Sequence, residues 1–141
     1  MGLICLPGLN FAQKNIDCNK TPTVPEGFTL ISSQQHGIYQ LSADIKTISF
    51  ESKTAPISGE KMLTKLRDTG LNACVLDYLM DHQELIPEIW KTKNVIFAGS
   101  IFADAGGNKF FRTLCWWDGH WDVTRTYLKD AEYDDRIAAT K

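Results

Sequence analysis

Hydrophobic and polar positions are patterned most clearly in the last third of the chain. Three runs rich in aromatic and β-branched residues, 95–102, 109–117 and 121–128, are separated by two short segments of Asp, Asn and Gly. Runs of this kind, bounded by turn residues, are typical of strands joined by hairpins. The pattern therefore predicts a three-stranded antiparallel meander over about residues 94–129.

Two registers are open for the second hairpin of this meander. A two-residue turn, Asp118-Gly119, is the commoner chemistry, but it places Arg112 directly opposite Arg125, and like charges opposite one another are unfavourable. A three-residue loop that also includes His120 avoids that pair, and we predict it. In this register one face of the hairpin carries Phe111, Cys115, Trp117, Trp121, Val123 and Tyr127.

The first run of the meander is apolar on both of its faces. The alternating sets are Val95, Phe97 and Ile101 on one side and Ile96, Ala98 and Phe102 on the other. A strand of this composition is typical of a sheet interior that is covered on both sides. We therefore expect this strand in the middle of the sheet.

Helical spacing of apolar residues occurs between about residues 58 and 83. Ser58 is a suitable N-cap for a first helix, and Gly70 is a suitable stop. Asn72 can cap a second helix over residues 73–82. The wide apolar face of that second helix consists of Val75, Leu76, Tyr78 and Leu79.

The first half of the chain has a weaker pattern. Residues 1–27 contain prolines and polar residues in their second part, which predicts an extended lead-in rather than a packed element. Short apolar runs at 28–31, 37–41 and 45–50 could each add a strand to the sheet.

Together these elements predict an α+β fold. A single domain over residues 28–141 would consist of an antiparallel sheet, the meander with or without the N-terminal strands, packed against a helical pair. With 141 residues, of which 43% are hydrophobic, the chain is long enough for one domain with its own core.

Composition excludes several functional classes. The formal net charge is −2 and the 15 basic residues are scattered, so no partner nucleic acid or anionic membrane is expected. No run approaches the roughly 20 apolar residues of a membrane helix. The apolar N-terminus lacks basic residues and breaks at Pro7, which makes it a poor signal peptide, although a remnant of a longer leader stays open. We expect a soluble, cytoplasmic protein.

The sequence contains no motif for a metal or a cofactor. Its four cysteines, Cys5, Cys18, Cys74 and Cys115, are too far apart for a C-x-x-C signature. We expect Cys74 and Cys115 to be buried as small apolar residues. P-loop, G-x-S-x-G and H-E-x-x-H motifs are absent from the sequence. No cofactor, metal ligand or catalytic residue is therefore predicted.

The candidate site is the tip of the second hairpin. Adjacent Trp116 and Trp117 must point to opposite faces, so a stacking platform competes with a place in the core. His120 lies between Asp118 and Asp122, and a carboxylate beside an imidazole suits a general base or a weak metal site. A turn Asp, however, usually binds its own backbone. We name Trp116, Asp118, His120 and Asp122 as candidate binding residues.

Two other polar segments have simpler interpretations. The acidic cluster Asp130, Glu132, Asp134 and Asp135 is expected to be a solvated tail. The glycine-rich segment 104–108 joins two predicted strands, so we expect a turn there and not a phosphate-binding loop.

Three segments resemble a recurring pattern. Ile86–Lys91 reads I-P-E-x-W-K, Val95–Ile101 reads V-x-F-x-G-[TS]-I and Leu114–Trp121 reads L-x-W-x-x-G-x-W. This set resembles a group of small uncharacterised bacterial proteins, over about residues 58–135. Where that group tends to have Trp before an acid pair, this chain has Tyr133. The resemblance implies a recurring small module and brings no activity, substrate or catalytic residue with it.

Three functions stay open at this point. The first is a non-enzymatic module that binds a protein partner through its aromatic sheet or hairpin surface, which requires an exposed apolar patch with at least one tryptophan. The second is a small hydrolase-like or metal-assisted enzyme centred on His120 with Asp118 and Asp122. The third is a structural homo-oligomer formed through a free sheet edge.

Overall fold

The fold is α+β, as predicted. A computed structural model describes residues 14–34, 37–42 and 44–141, so Cys5 and the N-terminal leader considered above lie outside the described residues. The elements in chain order are β1 (Asn15–Asp17), β2 (Thr29–Ser33), β3 (Ile38–Gln40), β4 (Thr47–Ser49), β5 (Ile57–Ser58), α1 (Gly59–Lys65), α2 (Ala73–Asp81), two 3₁₀ helices (Gln83–Leu85 and Glu88–Thr92), β6 (Asn94–Ile96), β7 (Ser100–Ala103), β8 (Lys109–Trp117), β9 (His120–Tyr127), β10 (Glu132–Tyr133) and β11 (Arg136–Ala139).

A seven-stranded sheet forms the centre of the fold. Strand β8 pairs with β9 on one side and with both β6 and β7 on the other. Beyond these, β2 pairs with β7, β11 pairs with β6, and β4 pairs with β11. The β6–β11 pair is parallel and the other pairs of this sheet are antiparallel. The sheet is thus larger and more mixed than the predicted meander.

The predicted first strand of the meander is divided into β6 and β7 by a break at residues 97–99. At the break the backbone bonds to other segments, since the Gly99 N–H donates to the carbonyl of Leu71 at 2.9 Å and its carbonyl accepts from the N–H of Gln34 at 2.8 Å. A Cβ at this glycine would lie 2.7 Å from the backbone nitrogen of Asn72, so only glycine fits. Residues 95–100 are all buried, which confirms the predicted interior position.

The two helices cover opposite faces of the sheet. Helix α2 belongs to the hydrophobic cluster that contains Val95 and Leu114, whereas α1 belongs to the cluster of Ile96 and Phe111. Successive residues of a strand point to opposite faces, so these clusters lie on opposite sides. The helices are therefore not a pair packed together on one face, as the prediction had it.

The predicted helix caps are confirmed. The side chains of Ser58 and Asn72 each accept a hydrogen bond from a backbone N–H in the first turn of α1 and α2. Helix α1 ends at Lys65, before the predicted stop at Gly70. No helix within the described part of the chain is both long enough and apolar enough to cross a membrane.

The N-terminal part is more tightly packed than expected. Strand β1 pairs with β3 in a separate two-stranded sheet, and Ile16 and Cys18 are buried in the core on the α2 side. The lead-in predicted for residues 1–27 is thus a packed element from about Asn15 to Cys18. Of the three predicted N-terminal strands, β2 and β4 join the main sheet and β3 does not.

The C-terminal part corrects a second expectation. Instead of a solvated acidic tail, the chain forms β10, which pairs with β5, and β11, which lies between β6 and β4. Residues 137–140 are buried. The acidic side chains lie at the surface. There Oδ2 of Asp134 is 3.3 Å from Nζ of Lys53, and Asp135 forms an ion pair with Arg136.

Candidate functional site: the β8–β9 hairpin

The turn of the β8–β9 hairpin has two residues. Asp118 and Gly119 both have positive φ, 51° and 82°, and strand pairing begins at Trp117. Positive φ at both central positions is the type I′ turn, whose twist matches that of the flanking strands. The predicted three-residue loop is therefore wrong, and Arg112 does lie directly opposite Arg125.

The arginine pair is tolerated because each guanidinium has a partner of its own. Arg112, only 7% exposed, places Nη1 2.8 Å from Oδ1 of Asp77 on α2. The guanidinium carbon of Arg125 lies near the centres of three aromatic rings, at 5.3 Å for Phe28, 5.8 Å for Phe110 and 5.7 Å for Tyr127. An ion pair and cation–π contacts thus offset the repulsion that the sequence argument used to reject this register.

The two-residue turn changes which tryptophans share a face. Trp121 lies opposite Trp116, with the two rings 5.1 Å apart in a T-shaped contact on the α2 side. Trp121 is buried, and Trp116 is half-buried beneath the ammonium of Lys91 at 4.2 Å. Trp117 points to the opposite face and is 69% exposed. Of the three rings near the turn, Trp117 alone is available to a partner as a whole.

The polar residues predicted for the site lie at the tip but do not converge. Asp118, His120 and Asp122 are all exposed. The ring nitrogen Nδ1 of His120 is 3.3 Å from the backbone carbonyl of Asp118, and Oδ1 of Asp122 accepts the N–H of Val123 at 2.8 Å. Among the hydrogen bonds of the described residues, none joins His120 to either carboxylate. The described residues also contain no group of three or more potential metal ligands.

Strand β9 is an edge strand in the described part of the chain, since β8 is its one strand partner there. The pair that flanks a two-residue turn is hydrogen-bonded, so the alternate residues Trp121, Val123, Arg125 and Tyr127 point their backbone groups away from β8. Side chains occupy two of these four outward N–H groups. Asp122 binds that of Val123, and the hydroxyl of Tyr133 binds that of Tyr127 at 2.9 Å.

A cavity of about 730 Å³ lies elsewhere, between α1 and the β7–β8 turn. Its apolar lining comes from Leu63, Ile101 and Leu128, and its charged lining combines Lys109 and Lys129 with acidic residues. The neighbouring turn is the one predicted for residues 104–108. Its Asp104 carboxylate accepts hydrogen bonds from the backbone and side chain of Asn108, which lower the pKa of Asp104.

The cysteines of the described part have the chemistry of core residues. Cys18 and Cys74 are buried, as predicted for Cys74, whereas Cys115 is half-buried. Burial raises the pKa of the Cys18 thiol to about 11 and also raises the pKa values of Cys74 and Cys115. Thiols of this kind hold little thiolate at neutral pH and are poor nucleophiles.

Sequence reasoning found the hairpin but did not count Arg112 and Arg125 among the site residues, because it used their repulsion to reject the register that the structure has. The available signal was the turn itself, because Asp-Gly chemistry favours the register that brings the two arginines together. Comparison with protein-family models, curated proteins and solved structures finds no match to this chain. The resemblance to small bacterial proteins stays a prediction.

Proposed function

We propose that this protein is a non-enzymatic module that binds a protein partner through the β8–β9 hairpin. The partner would contribute an extended segment that pairs with the β9 edge and contacts the exposed ring of Trp117. The observation that carries the proposal is the 69% exposure of Trp117 at the end of a hairpin whose other tryptophans are largely covered. Large exposed aromatic rings are enriched at protein interfaces and are frequent anchors of binding energy.

The backbone of β9 supports the same proposal. An edge strand with outward N–H and C=O groups is a template for a further strand, a recognition mode in which main-chain hydrogen bonds supply affinity and side chains supply specificity. Trp121 and Arg125 offer outward backbone groups to which no strand of the described residues bonds. The Asp122 carboxylate would have to release the Val123 N–H when a partner strand arrives.

The alternatives have less support. An enzyme centred on His120 needs a carboxylate within hydrogen-bond reach of the imidazole, and the ring contacts a backbone carbonyl instead. A homo-oligomer would use the same edge, with a second copy as the added strand. Light scattering separates a homo-oligomer from a complex with another protein, because self-association depends on the concentration of this protein alone.

The proposal can be tested by affinity capture with matched variants. Trp117→Ala removes the exposed ring, and Val123→Pro removes an outward N–H that β8 does not use. Ile89→Ala is the control, because Ile89 is 71% exposed and lies on the 3₁₀ helix Glu88–Thr92, outside the hairpin. Circular dichroism establishes that each variant is folded.

We expect the wild-type chain and Ile89→Ala to recover the same set of proteins from an extract of the producing cells. Both hairpin variants should fail to recover that set. If the hairpin variants recover the same proteins as the control, the hairpin is not the binding surface. If Val123→Pro abolishes an oligomer seen by light scattering, the partner is a second copy of the chain.

A further inference from the structure

Arg125 has no carboxylate partner, unlike Arg112 on β8 and Arg136, which donates to Thr126 of β9. Arg112 is paired with Asp77, and Arg136 is paired with Asp135. Among the described residues no carboxylate oxygen lies within 4.0 Å of the Arg125 guanidinium. Arg125 is exposed and lies on the open edge strand. The β9 edge therefore carries one uncompensated positive charge at a defined position.

The aromatic rings around Arg125 fix where that charge is presented. Its guanidinium carbon lies between 5.3 and 5.8 Å from the ring centres of Phe28, Phe110 and Tyr127. Stacking on rings uses the face of the guanidinium and leaves its N–H groups free around the rim. A guanidinium with a fixed plane is suited to bind a carboxylate through two parallel hydrogen bonds.

The residues that precede Arg125 complete a pattern on the same face. Val123 and Arg125 alternate along β9 and both point to the α2 side, so the face presents one half-buried apolar side chain and one exposed cation, whereas Trp121 on the same face is buried. In a neighbouring strand, directly opposite side chains have Cβ atoms about 4.5–5.5 Å apart and contact one another. A matching strand would therefore offer a carboxylate opposite Arg125 and an apolar side chain opposite Val123.

We propose that the β9 edge recognises an extended, acidic segment of a partner protein, in which an Asp or Glu stands two residues away from an apolar residue. The carboxylate binds Arg125, and the apolar residue covers Val123. This inference rests on the proposed function and specifies the partner. In an antiparallel complex the acidic residue precedes the apolar one, and in a parallel complex it follows it, so the order of the two residues reports the strand direction.

The test is a selection of random displayed peptides on the immobilised full chain. Wild-type protein should enrich peptides with the acidic and apolar spacing given above. Arg125→Glu should replace that preference by Lys or Arg at the acidic position, an exchange that a merely structural role would not produce. Lys129→Glu is the control, because it reverses an exposed charge outside β9 and should leave the selected pattern unchanged.

Binding constants of one selected peptide provide a second readout. Loss of a charge-assisted hydrogen-bonded pair corresponds to roughly a tenfold to hundredfold weaker binding, which we expect for Arg125→Gln. This variant removes the charge without placing a carboxylate beside the aromatic rings, so it keeps the test valid if Arg125→Glu does not fold. Methylation of alternate peptide nitrogens should abolish binding, because an added strand needs its backbone donors.

The outcomes separate this inference from the proposed function. Peptides that require Trp117 and the Val123 edge, but show no acidic position or bind Arg125→Gln equally well, overturn the inference and leave the hairpin as the binding surface. If no selected peptide depends on any hairpin residue, both proposals fail.

Discussion

The ion pair between Arg112 and Asp77 is one of the interactions that offset the arginine pair in the observed hairpin register. Arg112 is almost fully buried, its Nη1 lies 2.8 Å from the Asp77 carboxylate, and its Nε has no hydrogen-bond partner among the described residues. Asp77→Ala would leave this guanidinium buried without a counter-charge and opposite a second arginine. Removing one member of a buried pair costs about 3–5 kcal/mol, so we expect the free energy of unfolding to fall by about that amount.

The reverse change should cost less. Arg112→Met removes the buried charge and the unsatisfied Nε and keeps much of the side-chain volume, while the remaining carboxylate is 21% exposed and can be hydrated. Replacement of a buried ion pair by apolar residues is often neutral or stabilising. The double variant Arg112→Met/Asp77→Ala should therefore be more stable than Asp77→Ala alone, and within about 1 kcal/mol of the wild type.

Urea unfolding monitored by tryptophan fluorescence gives the four free energies of this cycle. Asp134→Ala is the control, since its pair with Lys53 lies at the surface and is worth less than about 1 kcal/mol. Asp77 does not compensate the arginine pair if Asp77→Ala lowers the free energy of unfolding by no more than the control does. The same conclusion follows if the double variant is no more stable than Asp77→Ala alone. Our explanation of the register would then be wrong.

Three further predictions concern the core. Asn72→Ala removes a helix cap and also the side-chain amide that donates to the carbonyls of Cys18 and Gln34 at 2.8 and 2.9 Å. It should therefore lower the free energy of unfolding in urea by about 3–5 kcal/mol, against about 1 kcal/mol for Ser58→Ala. Gly99→Ala should lower the melting temperature measured by calorimetry, because its Cβ would meet backbone atoms at 2.7 Å. The raised pKa of Cys18 means that the folded state keeps a proton that the unfolded state releases, so its contribution is complete below pH 9.0 and is lost as pH rises through about 11. Cys18→Ala should flatten that alkaline loss of stability, which is at most about 3 kcal/mol.

Local chemistry in the sequence predicted local geometry well. The caps at Ser58 and Asn72 and the turn signals of the hairpin depend on a few neighbouring residues, and the structure has them at these positions. The prediction of the hairpin register was wrong because the interactions that decide the register are not local. Asp77 lies 35 residues before Arg112, so a charge pattern read along two strands could not include it.

The same limit explains the C-terminal strand. Residues 136–139, Arg-Ile-Ala-Ala, are too few to show a period, and an acidic run directly before them is typical of solvated chain. Their place in the sheet is set by β6 on one side and β4 on the other, from two distant parts of the sequence. Partners of this kind become visible only when the strands are brought together.

The hairpin thus combines an anchored side with an open edge. Its α2 face is held by the Arg112–Asp77 pair and by the contact between Trp116 and Trp121, so the strand is ordered before any partner arrives. Binding to an ordered edge costs less conformational entropy than binding that must order the edge. Asp122 occupies one outward N–H and places a charge on the edge, a feature that discourages indiscriminate strand pairing. Selectivity would then come from the balance between displacing this carboxylate and gaining another one on Arg125.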